Sequence, residues 1–128
     1  MVALAEEAWR IFIVDDDDSV RRGLSRLMRV AGFEVRAFAT AESFFAECAT
    51  AARTCVLMDI TMPQMSGLQV QARLKEMGVD LPVIAISARD DEETRSSARA
   101  LGARFFLRKP MDDRALLDAI AWVTGPHV

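Results

Sequence analysis

Cys55-Val56-Leu57-Met58-Asp59 is four apolar residues in an unbroken run that ends on a carboxylate. A short apolar run without alternation reads as a strand buried on both faces, which is what parallel sheets produce. Working outward, Ile11–Val14, Val83–Ile86 and Phe105–Leu107 repeat the pattern. Phe33–Phe38 alternates instead, Phe33, Val35 and Ala37 against Glu34 and Arg36, which suits an edge strand with one wetter face. Helix-like stretches fill the gaps. Val20, Leu24, Leu27 and Ala31 form an apolar stripe, with Gly32 as its stop. Thr40 reads as an N-cap before Ala41, Phe44, Phe45 and Cys48. Leu68, Ala72 and Met77 line a third helix ended by Gly78, and Asp90–Leu101 forms a polar fourth ended by Gly102. Asp112 or Asp113 caps a last helix that buries Leu116, Leu117, Ile120 and Val123. Strands and helices in strict alternation with short loops give an α/β sheet with helices on both faces.

The 128 residues fit one domain, and 52% hydrophobic content excludes disorder. A net charge of −3 argues against direct nucleic-acid binding. Cys48 and Cys55 form no CxxC pair, so a disulfide framework and a zinc site are not expected, and both read as packing residues. The leader Met1–Trp9 lacks the features of a signal peptide, and no apolar run reaches membrane-span length. The expectation is a small soluble cytoplasmic domain without a membrane association.

Ligands of such sheets bind at the carboxyl ends of the strands. Asp15 and Asp16 follow the first strand, Asp59 the third, Ser87 the fourth and Lys109 the fifth. Three carboxylates repel one another, and a hard divalent cation with oxygen ligands removes that cost. A lysine on the same rim attracts a phosphoryl group bridged by the metal. Carboxylates, Mg²⁺, lysine and hydroxyl together describe phosphoryl transfer with an Asp as nucleophile. The sole histidine, His127, lies in the tail. Asp17 and Asp18 read as a helix N-terminus, where carboxylates complement the dipole.

Asp59-Ile-Thr-Met-Pro-Gln-Met-Ser-Gly67 resembles the D-x-x-M-P-x-M-x-G signature of response-regulator receiver domains. Val14-Asp15-Asp16, Ser87-Ala88 and Lys109-Pro110 are similar to that family's other landmarks, in order. The likeness covers about residues 9–123, within a single domain 1–128. It implies a flavodoxin-like (βα)5 fold in three layers with strand order 2-1-3-4-5. It also implies Mg²⁺-dependent transfer of a phosphoryl group to Asp59 from a phospho-histidine on a sensor histidine kinase. The resemblance gives Asp16 as a direct Mg²⁺ ligand and Asp15 as one acting largely through water. Asp59 and the Thr61 carbonyl complete the set, with Mn²⁺ as a substitute ion. Lys109 and Ser87 would contact phosphoryl oxygens, with the backbone amides of Thr61 and Ala88 as further donors. Phe106 matches the aromatic switch position beside Ser87, although Phe105 next to it could take either face. Lys109-Pro110 matches the family's usual cis peptide.

Two residues depart from the common pattern. Met111 stands where many receivers carry Phe, and Ser87 replaces the commoner Thr. Thr61 and Arg89 flank the site at positions that vary in the family it resembles and would tune the phosphorylated state's lifetime. The general look resembles FixJ-like transcription regulators, which points to a helix-turn-helix effector beyond residue 128. The rival is a stand-alone receiver serving as phosphorelay intermediate or phosphate sink. Neither reading is a stand-alone enzyme. A haloacid-dehalogenase hydrolase requires a second Asp two residues after the nucleophile, where Thr61 stands. A phosphorylation-independent module is disfavoured because every site residue is intact. Arg95, Arg99 and Arg104 facing Asp112, Asp113 or Asp118 of a second copy suggest a phosphorylation-dependent homodimer.

Overall fold

Each apolar run forms a strand in the computed structural model, which describes residues 9–89 and 91–125. The elements alternate strictly: β1 (Arg10–Val14), α1 (Asp18–Val30), β2 (Glu34–Phe38), α2 (Ala41–Cys48) and β3 (Thr54–Asp59). They continue with α3 (Gly67–Met77), β4 (Val83–Ser87), α4 (Glu92–Ala100), β5 (Ala103–Arg108) and α5 (Asp113–Thr124). All pairings are parallel, in the order β2-β1-β3-β4-β5. This is the flavodoxin-like sheet in three layers.

The sheet divides two cores. Ile11, Ile13, Cys55, Leu57, Ile84 and Ile86 point to one face, under Leu24 and Met28 of α1 and Leu116 and Ile120 of α5. Phe12, Val14, Val56 and Met58 point to the other, under Phe44 of α2 and Val70 and Leu74 of α3. Phe12, Phe38 and Phe44 meet edge to face with centroids 5.1–6.3 Å apart, a geometry aromatic quadrupoles favour. A smaller cluster of Ile60, Ala85 and Ala98, flanked by Leu68 and Phe106, lies under α4. Cys48 and Cys55 are buried free thiols, and burial pushes the Cys55 thiol up to about 12.

Several sequence expectations need correction. In α1 the buried face is Leu24, Ser25 and Met28, while Val20 and Leu27 only flank it. Ala31 is an exposed C-cap, because the chain leaves the helix toward Gly32 at φ +100°. In α3 the buried positions are Gly67, Val70, Gln71 and Leu74, at i, i+3, i+4 and i+7. Leu68 and Ala72 are only partly buried and Met77 is exposed. The β2 alternation also fails at its end: Ala37 is exposed and Phe38 is buried on the opposite face, against Phe12 and Phe44. The fifth strand is not doubly buried, since it is the second sheet edge and its residues are only partly covered. The fourth helix is shorter than expected, Glu92–Ala100, with Leu101 as its C-cap; Asp90 and His127 lie outside the described residues.

Gly67 fixes α3 against the end of β3. A Cβ there would lie 2.5 Å from the Asp59 carbonyl oxygen and 2.8 Å from the Ile60 Cα. Both are backbone atoms, so neither can swing away. Gly67→Ala is expected to push α3 off the strand at a cost of about 2–3 kcal/mol, read as a lower urea midpoint with an unchanged slope. A midpoint equal to wild type would contradict the contact.

Candidate functional site

Parallel register places the polar residues after the strands on one rim. Val14 pairs with Met58, which sets Asp15 beside Asp59. Asp59 pairs with Ile86, which sets Ser87 one residue further on, and Ser87 pairs with Arg108, just before Lys109. Asp15, Asp59 and Ser87 are buried and Asp16 is exposed. Carboxylate oxygens of Asp15, Asp16 and Asp59 all lie within 4.8 Å of one another, a cluster that could hold a metal ion.

The loop from β1 to α1 is fixed by its own aspartates. The Asp17 amide donates to Asp15 Oδ1 at 2.9 Å, and the Asp17 carboxylate caps α1 by accepting from the Val20 amide. Arg21 donates to the Asp15 carbonyl at 2.8 Å and pairs with Asp18. Asp17 and Asp18 thus serve the helix N-terminus, as the sequence indicated, and leave Asp15 and Asp16 to the rim.

Lys109 joins the two buried carboxylates. Its Nζ lies 3.1 Å from Asp15 Oδ2 and 3.5 Å from Asp59 Oδ1. Thr61 adds its amide, 3.2 Å from Asp59 Oδ1, and its hydroxyl, 3.3 Å from the same atom. Burial, then the charge of Asp15, push the Asp59 carboxyl above the usual carboxylate range, against the Thr61 and Lys109 contacts that lower it. Burial pulls the Lys109 ammonium down, but its hydrogen bond to Asp15 and the charges of Asp59 and Asp15 outweigh that and hold it above an ordinary lysine. The ammonium therefore neutralises part of the acidic cluster.

Ser87 turns its hydroxyl to its own loop, accepting from the Arg89 amide at 3.0 Å, while its carbonyl accepts from the Lys109 amide at 2.8 Å. The Lys109-Pro110 peptide is cis. Phe105 and Phe106 separate cleanly: Phe105 packs on the α1–α5 core and Phe106 on the small cluster under α4. The Arg95 guanidinium carbon sits 5.8 Å from the Phe106 ring centroid, within cation–π range. Met111, where Phe is common, is partly buried against the α1–α5 core.

Sequence reasoning missed Arg21, whose contact with the Asp15 carbonyl no motif announces, and the Thr61 hydroxyl on Asp59. It also missed the Ser66–Gln69 capping box at the start of α3, although Ser-x-x-Gln ahead of a helix is a legible signal. Among the described residues no helix is long and apolar enough to cross a membrane.

A parallel 2-1-3-4-5 sheet with an acidic cluster and a lysine at its carboxyl rim defines a class, and the family comparison agrees: residues 11–121 match the model of the response regulator receiver domain. The chain belongs to that family. It is 39% identical over 117 residues to response regulator protein TodT of Pseudomonas putida, covering 91% of this chain and 52% of that protein. It is 33% identical over 114 residues to transcriptional regulatory protein FixJ of Azorhizobium caulinodans, covering 89% and 54%. Among solved structures, the response regulator StyR superposes with a TM-score of 0.85 at 39% identity, covering 91% of this chain and 59% of that one. The chain spans about half the length of these curated relatives. It is a receiver domain of two-component signalling.

Proposed function

We propose that this receiver takes a phosphoryl group from a phospho-histidine of a sensor histidine kinase onto Asp59, with Mg²⁺ in the acidic cluster. The observation that carries the reading is Lys109 between Asp15 and Asp59, with Asp16 close beside them. Oxygen-only donors with room for waters suit Mg²⁺, or Mn²⁺ in its place. Asp16 and Asp59 would hold the ion together with the Thr61 carbonyl. Asp15, whose oxygens accept from the Asp17 amide and from Lys109, would act through water. The ion supplies charge neutralisation at the phosphoryl oxygens.

Asp59 Oδ1 receives Thr61 and Lys109, so the attack is assigned to Oδ2. A bond forms from Oδ2 to phosphorus as the phosphorus–nitrogen bond breaks, and the departing imidazole keeps the electron pair and takes a proton from water. Lys109 stays on the phosphoryl oxygens, joined by the Thr61 and Ala88 amides. Ser87 leaves the Arg89 amide to donate its hydroxyl, and Phe106 turns into the space behind it. With Mg²⁺ and acetyl phosphate, the intact protein is expected to gain one phosphoryl mass, and none once Mg²⁺ is chelated. Modification to the same extent in chelator would overturn the metal's part.

The output proposed is transcription regulation through an effector domain outside residues 1–128, DNA being contacted there and not by the receiver. FixJ and TodT, regulators about twice as long, support this. A stand-alone relay or phosphate sink is the alternative. Arg95, Arg99 and Arg104 against Asp112, Asp113 or Asp118 of a second copy form the proposed dimer contact on phosphorylation. Sedimentation with beryllofluoride and Mg²⁺ is expected to show wild type shifting to dimer and Ser87→Ala remaining largely monomeric. A wild type that stays monomeric would refute the dimer; a Ser87→Ala protein that dimerises equally would refute the coupling.

A further inference from the structure

Of the five helices, α4 has the fewest buried residues. Of its nine residues only Ala98 is buried, whereas α3 buries Gly67, Val70, Gln71 and Leu74. An alanine methyl contributes little apolar burial, so the remaining contacts of α4 weigh heavily. Its last turn is closed by the Leu101 amide on the Ser97 carbonyl and the Gly102 amide on the Arg99 carbonyl. The Ala98 carbonyl, one of the orphan acceptors of a helix end, receives a bond from another helix: Gln71 Nε2 of α3 donates to it at 3.2 Å.

Gln71 is 2% exposed, and its Oε1 is buried without a partner. An apolar side chain of that size would remove the unpaired Oε1 but would take from the Ala98 carbonyl the donor it now has. What the amide adds is direction, a fixed point for α4 on α3. The same helix carries Arg95 over Phe106, so the point that holds α4 also holds the cover of that ring on β5.

We propose that Gln71 is the positioning residue that holds α4 in its resting place through the Ala98 carbonyl, and that it thereby sets how readily the α4–β5 face responds to change at the rim. The second half rests on the phosphorylation reading above; the first half does not. Gln71→Met keeps the volume and removes the bond. By hydrogen exchange of the unmodified protein, α4 amides in the variant are expected to exchange ~5–10-fold faster, the factor for one buried hydrogen bond, with α1 and α5 unchanged. Unchanged α4 exchange overturns the anchoring, and so does protection lost evenly across the whole domain, which marks a merely structural role. With beryllofluoride and Mg²⁺, the α4 response of the variant is expected at a several-fold lower beryllofluoride concentration than in wild type. An unshifted midpoint overturns the coupling. A faster α4 in the variant with no beryllofluoride response even in wild type upholds the anchor and overturns the phosphorylation reading instead.

Discussion

Lys109→Met should slow phosphorylation of the receiver by acetyl phosphate roughly 10²–10³-fold, the loss expected when one preorganised charge aimed at a transferring group is removed. The same substitution takes the ammonium from between Asp15 and Asp59, leaving two buried like charges side by side. Removing one partner of a buried pair costs about 3–5 kcal/mol, lessened here because Lys109 is partly exposed. The two effects part when Mg²⁺ is added. Metal restores most of the lost stability by neutralising the carboxylates, and it binds more tightly than in wild type because its competing cation is gone. It does not restore the rate. Denaturant titration and single-turnover kinetics on one preparation check this, and a variant whose rate recovers with its stability would reduce Lys109 to a structural role.

Asp16→Ala should weaken Mg²⁺ binding at least tenfold, and more than Asp15→Ala does. Asp16 is exposed and contributes to the acidic cluster, whereas both oxygens of Asp15 are engaged by the Asp17 amide and by Lys109. Wild-type affinity is itself weak, since the ion keeps several waters. Asp15→Ala also frees Lys109 to sit on Asp59 alone, which opposes the metal by charge rather than by loss of a ligand. Titration of the three proteins with Mg²⁺ separates these contributions. Equal affinities would remove Asp16 from the ligand set.

The rim was legible in the sequence because parallel strands are short, apolar and end on whatever residue follows them. Asp15, Asp59, Ser87 and Lys109 could be placed together without knowing any contact between them. The contact itself was not legible: Lys109 and Asp15 are far apart in the chain, and the lysine follows β5 and reaches Asp15 past the ends of β4 and β3. Helix faces were read less well. In α3 the stripe through Leu68, Ala72 and Met77 ran along the wrong side of Val70 and Leu74, and Gln71 at the centre of the buried face leaves no trace in hydropathy because its amide finds its partner on another helix. In α1 Met28 lies at the centre of the face, and the stripe through Ala31 ran past the end of the helix. β5 looked doubly buried by composition, although the strand order implied by the receiver resemblance already put it at the sheet edge, where the structure has it. The Phe105–Phe106 ambiguity was of the same kind, settled by the pleat once Ile84 and Ala85 gave the register.

All of the chemistry proposed here converges on one oxygen of one side chain. Wild-type protein incubated with Mg²⁺ and acetyl phosphate, then digested and mapped by mass after trapping with hydroxylamine, reads that atom's residue directly. The expected result is a single hydroxamate, left where hydroxylamine displaces phosphate from the acyl phosphate, on the peptide containing Asp59 and absent from Asp59→Asn treated identically. A modification on any other residue of wild type, or an Asp59→Asn protein modified to the wild-type extent, would contradict the assignment.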